Sequence, residues 1–231
     1  MSFLHSLLAM ANAEWNFFGN DIGRKDKILN GKNKEAVEPY SSRVADYWLS
    51  IGASEYKKLV SKYAKSKGRL DGTTKLAWSA AFVSYCMQQA GAGNKFPYSS
   101  GHATWIVQSI NNRKNNKLKA SLVGYKLGEE VLRVGDLIGR PRGADAKLSY
   151  EQAPAKGWFT SHTDIVVEID KTRKKAFVIG GNVGQSVSKS EVSIDGDGHL
   201  NDAEGWFVHI RNNIEFPNVA DVGDPTTAQV G

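Results

Sequence analysis

Helical and strand-like patterns occupy different parts of this chain. Up to about residue 112, apolar residues recur every three or four positions, as they do on one face of a helix. Further on, apolar residues gather in short runs rich in Val, Ile and Phe, separated by turn sequences such as DKTRKK and DGDGH. Helices followed by strands, without βαβ alternation, are typical of α+β proteins. We therefore predict an α+β fold with N-terminal helices packed on a small antiparallel β-sheet.

The pattern predicts five helices and four strands. The opening helix has an apolar face formed by Leu4, Leu7, Leu8, Ala11, Trp15 and Phe18. The other helices cover residues 44–51, 56–63, 79–89 and 102–112. The strands are VGDLIGR, HTDIVVEID, KAFVIGGNVG and GWFVHIR.

The chain has the size and apolar content of one domain. It has 231 residues, of which 41% are hydrophobic, so it can bury a substantial core. We divide it into an N-terminal helical part at 1–70, a core at 71–216 and a flexible tail at 217–231. The tail is assigned because no aromatic residue follows Phe216.

The net charge of +6 favours a polyanionic partner: nucleic acid, anionic lipid or bacterial cell wall. The densest basic run, NNRKNNKLK at 111–119, has no interleaved aromatic residues and is typical of a solvated loop. We therefore do not expect a nucleic-acid partner.

The compartment of the protein is inferred from two features that the sequence lacks. No apolar segment approaches the roughly 20 residues of a membrane-spanning helix, and the first residues lack the Lys/Arg-rich leader of a signal peptide. We expect synthesis in the cytoplasm, with a separate delivery route for any extracellular role. The single cysteine, Cys86, excludes an internal disulfide and is interpreted as a small buried apolar residue.

Ser79 stands where the fourth helix begins, in the sequence KLAWSAAFVSYC. A Ser at this place usually caps the helix, since its hydroxyl accepts a hydrogen bond from a free backbone N–H. The positive end of the helix dipole would also favour a nucleophile there, because it stabilises a developing anion. From position alone Ser79 is a cap, and a catalytic role remains open.

Other polar candidates begin or follow strands. His162 and Asp164 lie two residues apart, so they point to the same face of their strand and could form a general base with its partner. Asn182 follows two glycines and is either a turn residue or a group that orients an imidazole. Tyr98 and His102 could line a cleft.

A metal site is not expected. The sequence DGDGHLND begins like a calcium-binding loop, but its sixth position is Leu200 where Gly is required, and its twelfth is Trp206 where Glu is required. We interpret this segment as a hairpin turn. No His/Cys set has the spacing of a zinc site, and we predict no cofactor.

Several motifs together resemble known bacterial families. WSAAFVSYC, VGDLIG, HTDIVVEID and VIGGN occur in the order found in papain-like cell-wall hydrolases of the CHAP and NlpC type. A closer resemblance is to the bacterial family called domain of unknown function 2272. It is carried by EWNFFG, WSAAFVSYCMQQAGAGNKFPYSSGHATWI, VGDLI, SHTDIVVEID and IGGNVGQSVS, and it covers about residues 8–211.

The resemblance implies a papain-like fold and roles for three residues. Ser79 falls where CHAP proteins have a nucleophilic Cys, His162 where they have a base, and Asn182 where they have a polar orienting residue. The Ser-for-Cys departure is compatible with serine chemistry, with a domain that binds without cutting, or with an inactivated form.

The resemblance also implies a peptidoglycan amidase or endopeptidase. Ser79 would attack, His162 would accept its proton, Asn182 or Asp164 would orient the imidazole, and Trp78, Tyr98 and His102 would line the substrate cleft. Such a protein would act in phage lysis, in a phage tail, or as an antibacterial effector with a cognate immunity protein. The alternatives are an inactive wall-binding or virion module and a serine ester or thioester hydrolase.

Overall fold

The chain folds with its helices mainly in the first half and its strands mainly in the second. The structure, a computed structural model, describes residues 2–201 and 204–215. The helices are α1 (Phe3–Phe17), α2 (Tyr40–Trp48), α3 (Ala53–Tyr63), α4 (Ser79–Gln89), α5 (Ala103–Lys114) and α6 (Ala153–Lys156). The strands are β1 (Asp21–Ile22), β2 (Ile28–Leu29), β3 (Lys32–Asn33), β4 (Leu122–Tyr125), β5 (Leu137–Pro141), β6 (Ser161–Asp170), β7 (Lys175–Gly180), β8 (Ser188–Ser193) and β9 (Val208–Asn212). The α+β class and the five predicted helices are confirmed, and the four predicted strands correspond to β5, β6, β7 and β9.

The main sheet is larger than predicted and is mixed. Its seven strands follow the order β1-β8-β7-β6-β5-β9-β4, while β2 and β3 form a separate antiparallel pair. All neighbours in the main sheet are antiparallel except β1 and β8, which run parallel. The prediction of a small antiparallel sheet is therefore wrong in the size of the sheet and in the parallel pairing of β1 with β8. The missed strand β8 has Ser188 and Ser190 on its buried side, so it contains no apolar run that would identify it.

The two faces of the sheet have different neighbours. Ile165 of β6 belongs to the large core shared with α1, α4 and α5, whereas Val166 belongs to a second, smaller apolar cluster. Because side chains alternate along a strand, Thr163 faces the helices with Ile165. His162 and Asp164 point the other way, with Val166. This division determines which polar residues of β6 can reach the helices.

Helix α4 is the buried centre of the molecule. Eight of its side chains are buried, including that of Cys86, which confirms the interpretation of this cysteine as a core residue. The helix begins at Ser79, and Trp78 occupies the N-cap position without a capping side-chain hydrogen bond. The prediction that Ser79 caps the helix is therefore wrong, because its hydroxyl is directed to another partner.

The N-terminal helices share one core with the sheet. Leu7 and Ala11 of α1 belong to the same buried cluster as Phe82 of α4 and Ile165 of β6. None of the described helices is long and apolar enough to cross a bilayer. The tail predicted at 217–231 lies outside the described residues.

Candidate functional site

Ser79 and His102 meet where two helices begin. Ser79 is the first residue of α4, and His102 immediately precedes α5. The Ser79 Oγ lies 2.7 Å from His102 Nε2, within hydrogen-bond distance. Both residues are buried, with 7% of Ser79 and 4% of His102 exposed. The sequence assigned His102 to the cleft wall, whereas the structure makes it the imidazole partner of Ser79.

The other nitrogen of His102 is held by Thr163. His102 Nδ1 lies 2.7 Å from Thr163 Oγ1, and the Trp105 indole N–H donates to the same oxygen at 3.2 Å. Thr163 reaches this position because it lies on the helix-facing side of β6. A continuous polar chain therefore runs from Ser79 through His102 to Thr163 and links α4, α5 and the sheet.

Two arrangements of the protons fit the hydrogen bonds that link Ser79, His102 and Thr163. Trp105 can only donate, and the Thr163 hydroxyl has one O–H and two lone pairs. In the first arrangement His102 Nδ1–H donates to Thr163 and Ser79 donates to Nε2, which leaves the Thr163 O–H without an acceptor among residues 2–201 and 204–215. In the second, Thr163 donates to Nδ1 and Nε2–H donates to Ser79. In the second arrangement the Trp105 N–H, the Thr163 O–H and the His102 Nε2–H all have acceptors. Only the first arrangement leaves His102 Nε2 without a proton, so that it can accept the proton of Ser79.

Burial keeps His102 neutral. It lowers the pKa of His102 well below the ordinary value of 6.5; a proton on His162 and the positive charge of Arg142 would lower it further, against an opposing contribution from Asp164. A neutral imidazole at physiological pH is the form that can accept a proton.

His162 belongs to a second charged group behind His102. Its Nε2 lies 2.6 Å from Asp164 Oδ1, and the Arg24 guanidinium bonds Asp164 Oδ2 at 2.5 Å. Burial raises the pKa of Asp164, but its interactions with His162 and with the Arg24 guanidinium outweigh burial and hold it well below its usual range. The rings of His102 and His162 are 5.3 Å apart, edge to face. The structure thus places His162 beside Asp164, and in the described part of the chain Ser79 has no hydrogen bond to His162.

Asn182 is part of a cluster around Glu35. The Asn182 amide and the Trp78 indole N–H both donate to Glu35 Oε2, at 2.5 Å and 2.6 Å. Burial raises the pKa of Glu35, while these two hydrogen bonds favour its charged form. Asn182 has a positive φ of 54°, as expected of a turn residue. Asn182 therefore fastens the loop after β7 to the N-terminal segment, and its amide does not reach either imidazole in the described contacts.

The predicted cleft residues have different surroundings. Trp78 is only 1% exposed and packs against Tyr47, with ring centroids 5.6 Å apart and the ring planes tilted by 33°. Tyr98 is half-buried beside Phe96. An aromatic residue that the sequence did not single out, Trp158, is 70% exposed, and its Nε1 would lie 3.4 Å from a Cβ added at Gly101. The exposed ring therefore stands next to the residue that precedes His102.

The first backbone N–H groups of α4 lie at the helix start that Ser79 occupies. The first hydrogen bond of α4 runs from Phe82 N–H to the Trp78 carbonyl at 3.0 Å. The amides of Ser79, Ala80 and Ala81 precede it and lie at the positive end of the helix dipole. These amides are the groups of the site that could stabilise an oxyanion.

The acidic segment after β8, which the sequence predicts to be a hairpin turn, forms one in the structure. Asp195, Asp197 and His199 bring their ligand atoms within 4.8 Å of one another. The Asp195 carboxylate is already bonded to the backbone N–H groups of residues 197–199, and Ile194 pairs with Leu200 across the turn. This geometry confirms the predicted turn.

Comparison with known proteins identifies a family and no individual relative. A family model described as an uncharacterized protein conserved in bacteria (DUF2272) matches residues 36–215, which is most of the chain. No curated protein and no solved structure matches the chain.

Proposed function

We propose a reaction for this chain, which belongs to the bacterial DUF2272 family, from the geometry of its site. The chain is a serine hydrolase in which Ser79 attacks an amide carbonyl of peptidoglycan and His102 accepts the Ser79 proton. The observation that carries this proposal is the 2.7 Å contact between Ser79 Oγ and His102 Nε2 at the start of a buried helix. Nucleophilic catalysis uses this arrangement: the nucleophile lies within hydrogen-bond distance of a base, and a third group holds the base in place.

The steps follow from the positions of these groups. Ser79 Oγ bonds to the carbonyl carbon, its proton moves to His102 Nε2, and the oxyanion is stabilised by the amides at the start of α4. His102 then returns the proton to the leaving amine, and water hydrolyses the acyl-enzyme with His102 again as base. Thr163 holds the ring throughout from Nδ1. A base positioned in this way contributes about 10²–10⁴-fold to the rate.

The proposal changes the role of His162 from the one that the resemblance implied. His162 contacts Asp164 and its ring packs edge to face against the His102 ring, so in this account it supports His102 sterically. The papain-like relationship stays part of the proposal. It is supported by a helix with Ser79 at its start that contacts β6 and β7 of an antiparallel region.

Peptidoglycan is proposed as the substrate on three grounds. The motif order resembles that of wall hydrolases, the net charge of +6 suits an anionic wall, and Trp158 offers an exposed aromatic surface of the kind that stacks on sugars. A role in phage lysis or in a phage tail, or as an effector countered by an immunity protein, belongs to the same proposal.

The hydrogen-bond arrangement favours a second candidate, a module that binds the wall without cutting it. If Thr163 donates to His102, Ser79 is an acceptor of the Nε2 proton and is not activated. Reversing these hydrogen bonds leaves the buried Thr163 O–H without an acceptor in the described residues, at a cost of about 1–3 kcal/mol. A binding module needs no such reversal.

Mass spectrometry of purified peptidoglycan separates the two candidates. We expect the unmodified protein to release new fragments, whose masses identify the bond, and Ser79→Ala to release none. Saturable binding to wall sacculi with no fragments from either protein would favour the binding module. Fragments from Ser79→Cys alone would mean that the site supports thiol chemistry and that this chain is an inactivated form. Turnover of short acyl esters, lost in Ser79→Ala and without wall cleavage, would favour an ester hydrolase.

A further inference from the structure

Two arginines lie against the indole ring of Trp206. The guanidinium carbon of Arg24 lies 5.3 Å from the ring centroid of Trp206, and that of Arg140 lies 4.8 Å from it. Arg24 comes from the connection between β1 and β2, Arg140 from β5, and Trp206 from the segment before β9. Three separate parts of the chain therefore converge on one cationic and aromatic surface.

Buried donors in this cluster lack acceptors. Arg24 Nε, Arg140 Nε and Trp206 Nε1 are each buried without a hydrogen-bond partner in the part of the chain that the structure describes. An unsatisfied buried donor costs about 1–3 kcal/mol, so native proteins rarely keep several together without a water or ligand to accept from them. Among residues 2–201 and 204–215 these three N–H groups have no acceptor, so they are available to a ligand that brings one.

A third guanidinium extends the cluster toward solvent. Arg140 pairs across the sheet with His162, and the extended backbone of Arg142 (φ −143°, ψ 167°) keeps its side chain on the same face, two residues farther. Arg142 is exposed, and within the described residues its side chain has no ion pair. Its charge is thus free to bind an anion that enters from solvent.

The charge of the cluster is positive. Three guanidinium groups face two carboxylates, of which Asp164 is held by Arg24 at 2.5 Å and Glu204 lies 3.9 Å from Arg24 Nε. Burial lowers the pKa of Arg140, and repulsion by the nearby charges of Arg24 and Arg142 lowers it further, against the opposing charges of Asp164 and Glu204. A bound anion would relieve that repulsion.

We propose that Arg24, Arg140, Arg142 and Trp206 form a binding site for a carboxylate group of the substrate. Guanidinium groups match the planar, two-oxygen geometry of a carboxylate and suit a partly desolvated site better than an ammonium group does. His162 links this site to His102, since Arg140 pairs with it across the sheet and its ring lies 5.3 Å from that of His102. The inference rests on the proposed function, because it names the chemistry that anchors the substrate of that same site. It selects stem peptides that carry a free carboxylate.

The test measures binding separately from catalysis. The Ser79→Ala protein is titrated with N-acetyl-D-alanine, which carries the carboxylate, and with its carboxamide, which does not. The reporter is the indole N–H resonance of Trp206 in NMR spectra, assigned by its loss in Trp206→Phe. We expect a saturable shift with the acid and none with the carboxamide. Arg142→Gln should weaken binding by about tenfold, as loss of one charge-assisted contact does.

The matched control is Arg173→Gln, an exposed arginine that pairs with Asp170 at 2.9 Å in the turn between β6 and β7. It should bind the acid as the Ser79→Ala parent does. Equal shifts with acid and carboxamide, equal affinities of the two arginine variants, or an unmoved Trp206 resonance would overturn the inference. If the protein binds the carboxylate but the unmodified protein does not cleave the wall, the carboxylate site is supported and the hydrolase proposal is contradicted. If it cleaves the wall but does not bind the carboxylate, the hydrolase proposal is supported and the carboxylate site is contradicted.

Discussion

The Thr163 hydroxyl fixes the orientation of the His102 ring. It is fully buried, bonds Nδ1 of the ring at 2.7 Å, and is itself held by the Trp105 indole. In our account Thr163 touches no substrate, so it acts as a positioning residue. It fills the place that an Asp or Asn occupies in many serine and cysteine hydrolases, but it adds no charge.

Replacing Thr163 with Val tests this role. Val keeps the shape but removes the hydroxyl, so Trp105 Nε1 and His102 Nδ1 lose their partner. We expect the free energy of unfolding to fall by about 1–3 kcal/mol in urea denaturation, because buried polar groups are left unpaired. In peptidoglycan assays kcat should fall by about tenfold or more with little change in KM. Thr163→Ser should restore both; a Val variant with unchanged kcat would contradict the role.

Strand alternation and helical periodicity predict the positions of only some residues of the site. Strand alternation correctly brings His162 and Asp164 together, and helical periodicity correctly begins α4 at Ser79. The same alternation directs Thr163 to the helices, but a Thr between two charged candidates carries no signal of its own. The pairing of Ser79 with His102 depends on how two helix starts meet in space, which no periodicity determines.

The turn after β7 joins the sheet to α4 by close backbone contact. A Cβ added at Gly180 would lie 1.9 Å from Asp164 Oδ1, and one added at Gly181 would lie 2.4 Å from the Cβ of Phe82 in α4. Both glycines of this pair are therefore places where another part of the chain approaches the backbone closely. The same turn presents Asn182 to Glu35, which also holds Trp78 just before Ser79. The start of α4 is thus held from both sides.

Gly181→Ala tests this contact. The added methyl group has no room against Phe82, so α4 or the turn must shift. We expect the free energy of unfolding in urea to fall by about 1–3 kcal/mol, as overpacking in a core does. Gly196→Ala is the matched control, because nothing lies within 4 Å of a Cβ there. Equal stability of the two variants would show that the turn does not pack on α4 as described.

At the element scale the sequence predicts the helices better than the sheet. Long apolar periodicity identifies α1 and α4 correctly. Strand β8 is missed because serines fill its buried side, and the two-residue β1 is missed because it lies in a charged connection and forms only by pairing with β8. Short strands of this kind are determined by tertiary pairing more than by their own composition.

The whole molecule encloses two neutral imidazoles in its interior. Burial lowers the pKa of both His102 and His162 below the ordinary 6.5. Each of these two histidines therefore binds its proton at a higher pH in the unfolded chain than in the folded chain. Their contribution to stability is therefore complete above about pH 6.5 and is lost as the pH falls below it.

Urea unfolding between about pH 7.5 and about pH 5.5 measures this dependence. We expect the free energy of unfolding to decrease as the pH falls through this window. The decrease should be smaller in His102→Gln and smaller again in the double variant His102→Gln/His162→Gln. Replacement of the exposed His5 by Gln should leave the dependence unchanged. A pH dependence that the buried-histidine variants do not reduce would contradict the account.

The central claim is that His102, and not His162, accepts the proton of Ser79. The most direct measurement is the rate of fragment release from purified peptidoglycan by His102→Gln and His162→Gln, each checked by circular dichroism for an intact fold. Because only His102 contacts the Ser79 hydroxyl in the described structure, His102→Gln should lose about 10²–10⁴-fold in rate and His162→Gln much less. Full activity of His102→Gln, with activity abolished in a folded His162→Gln, would contradict the account and return the role of base to His162.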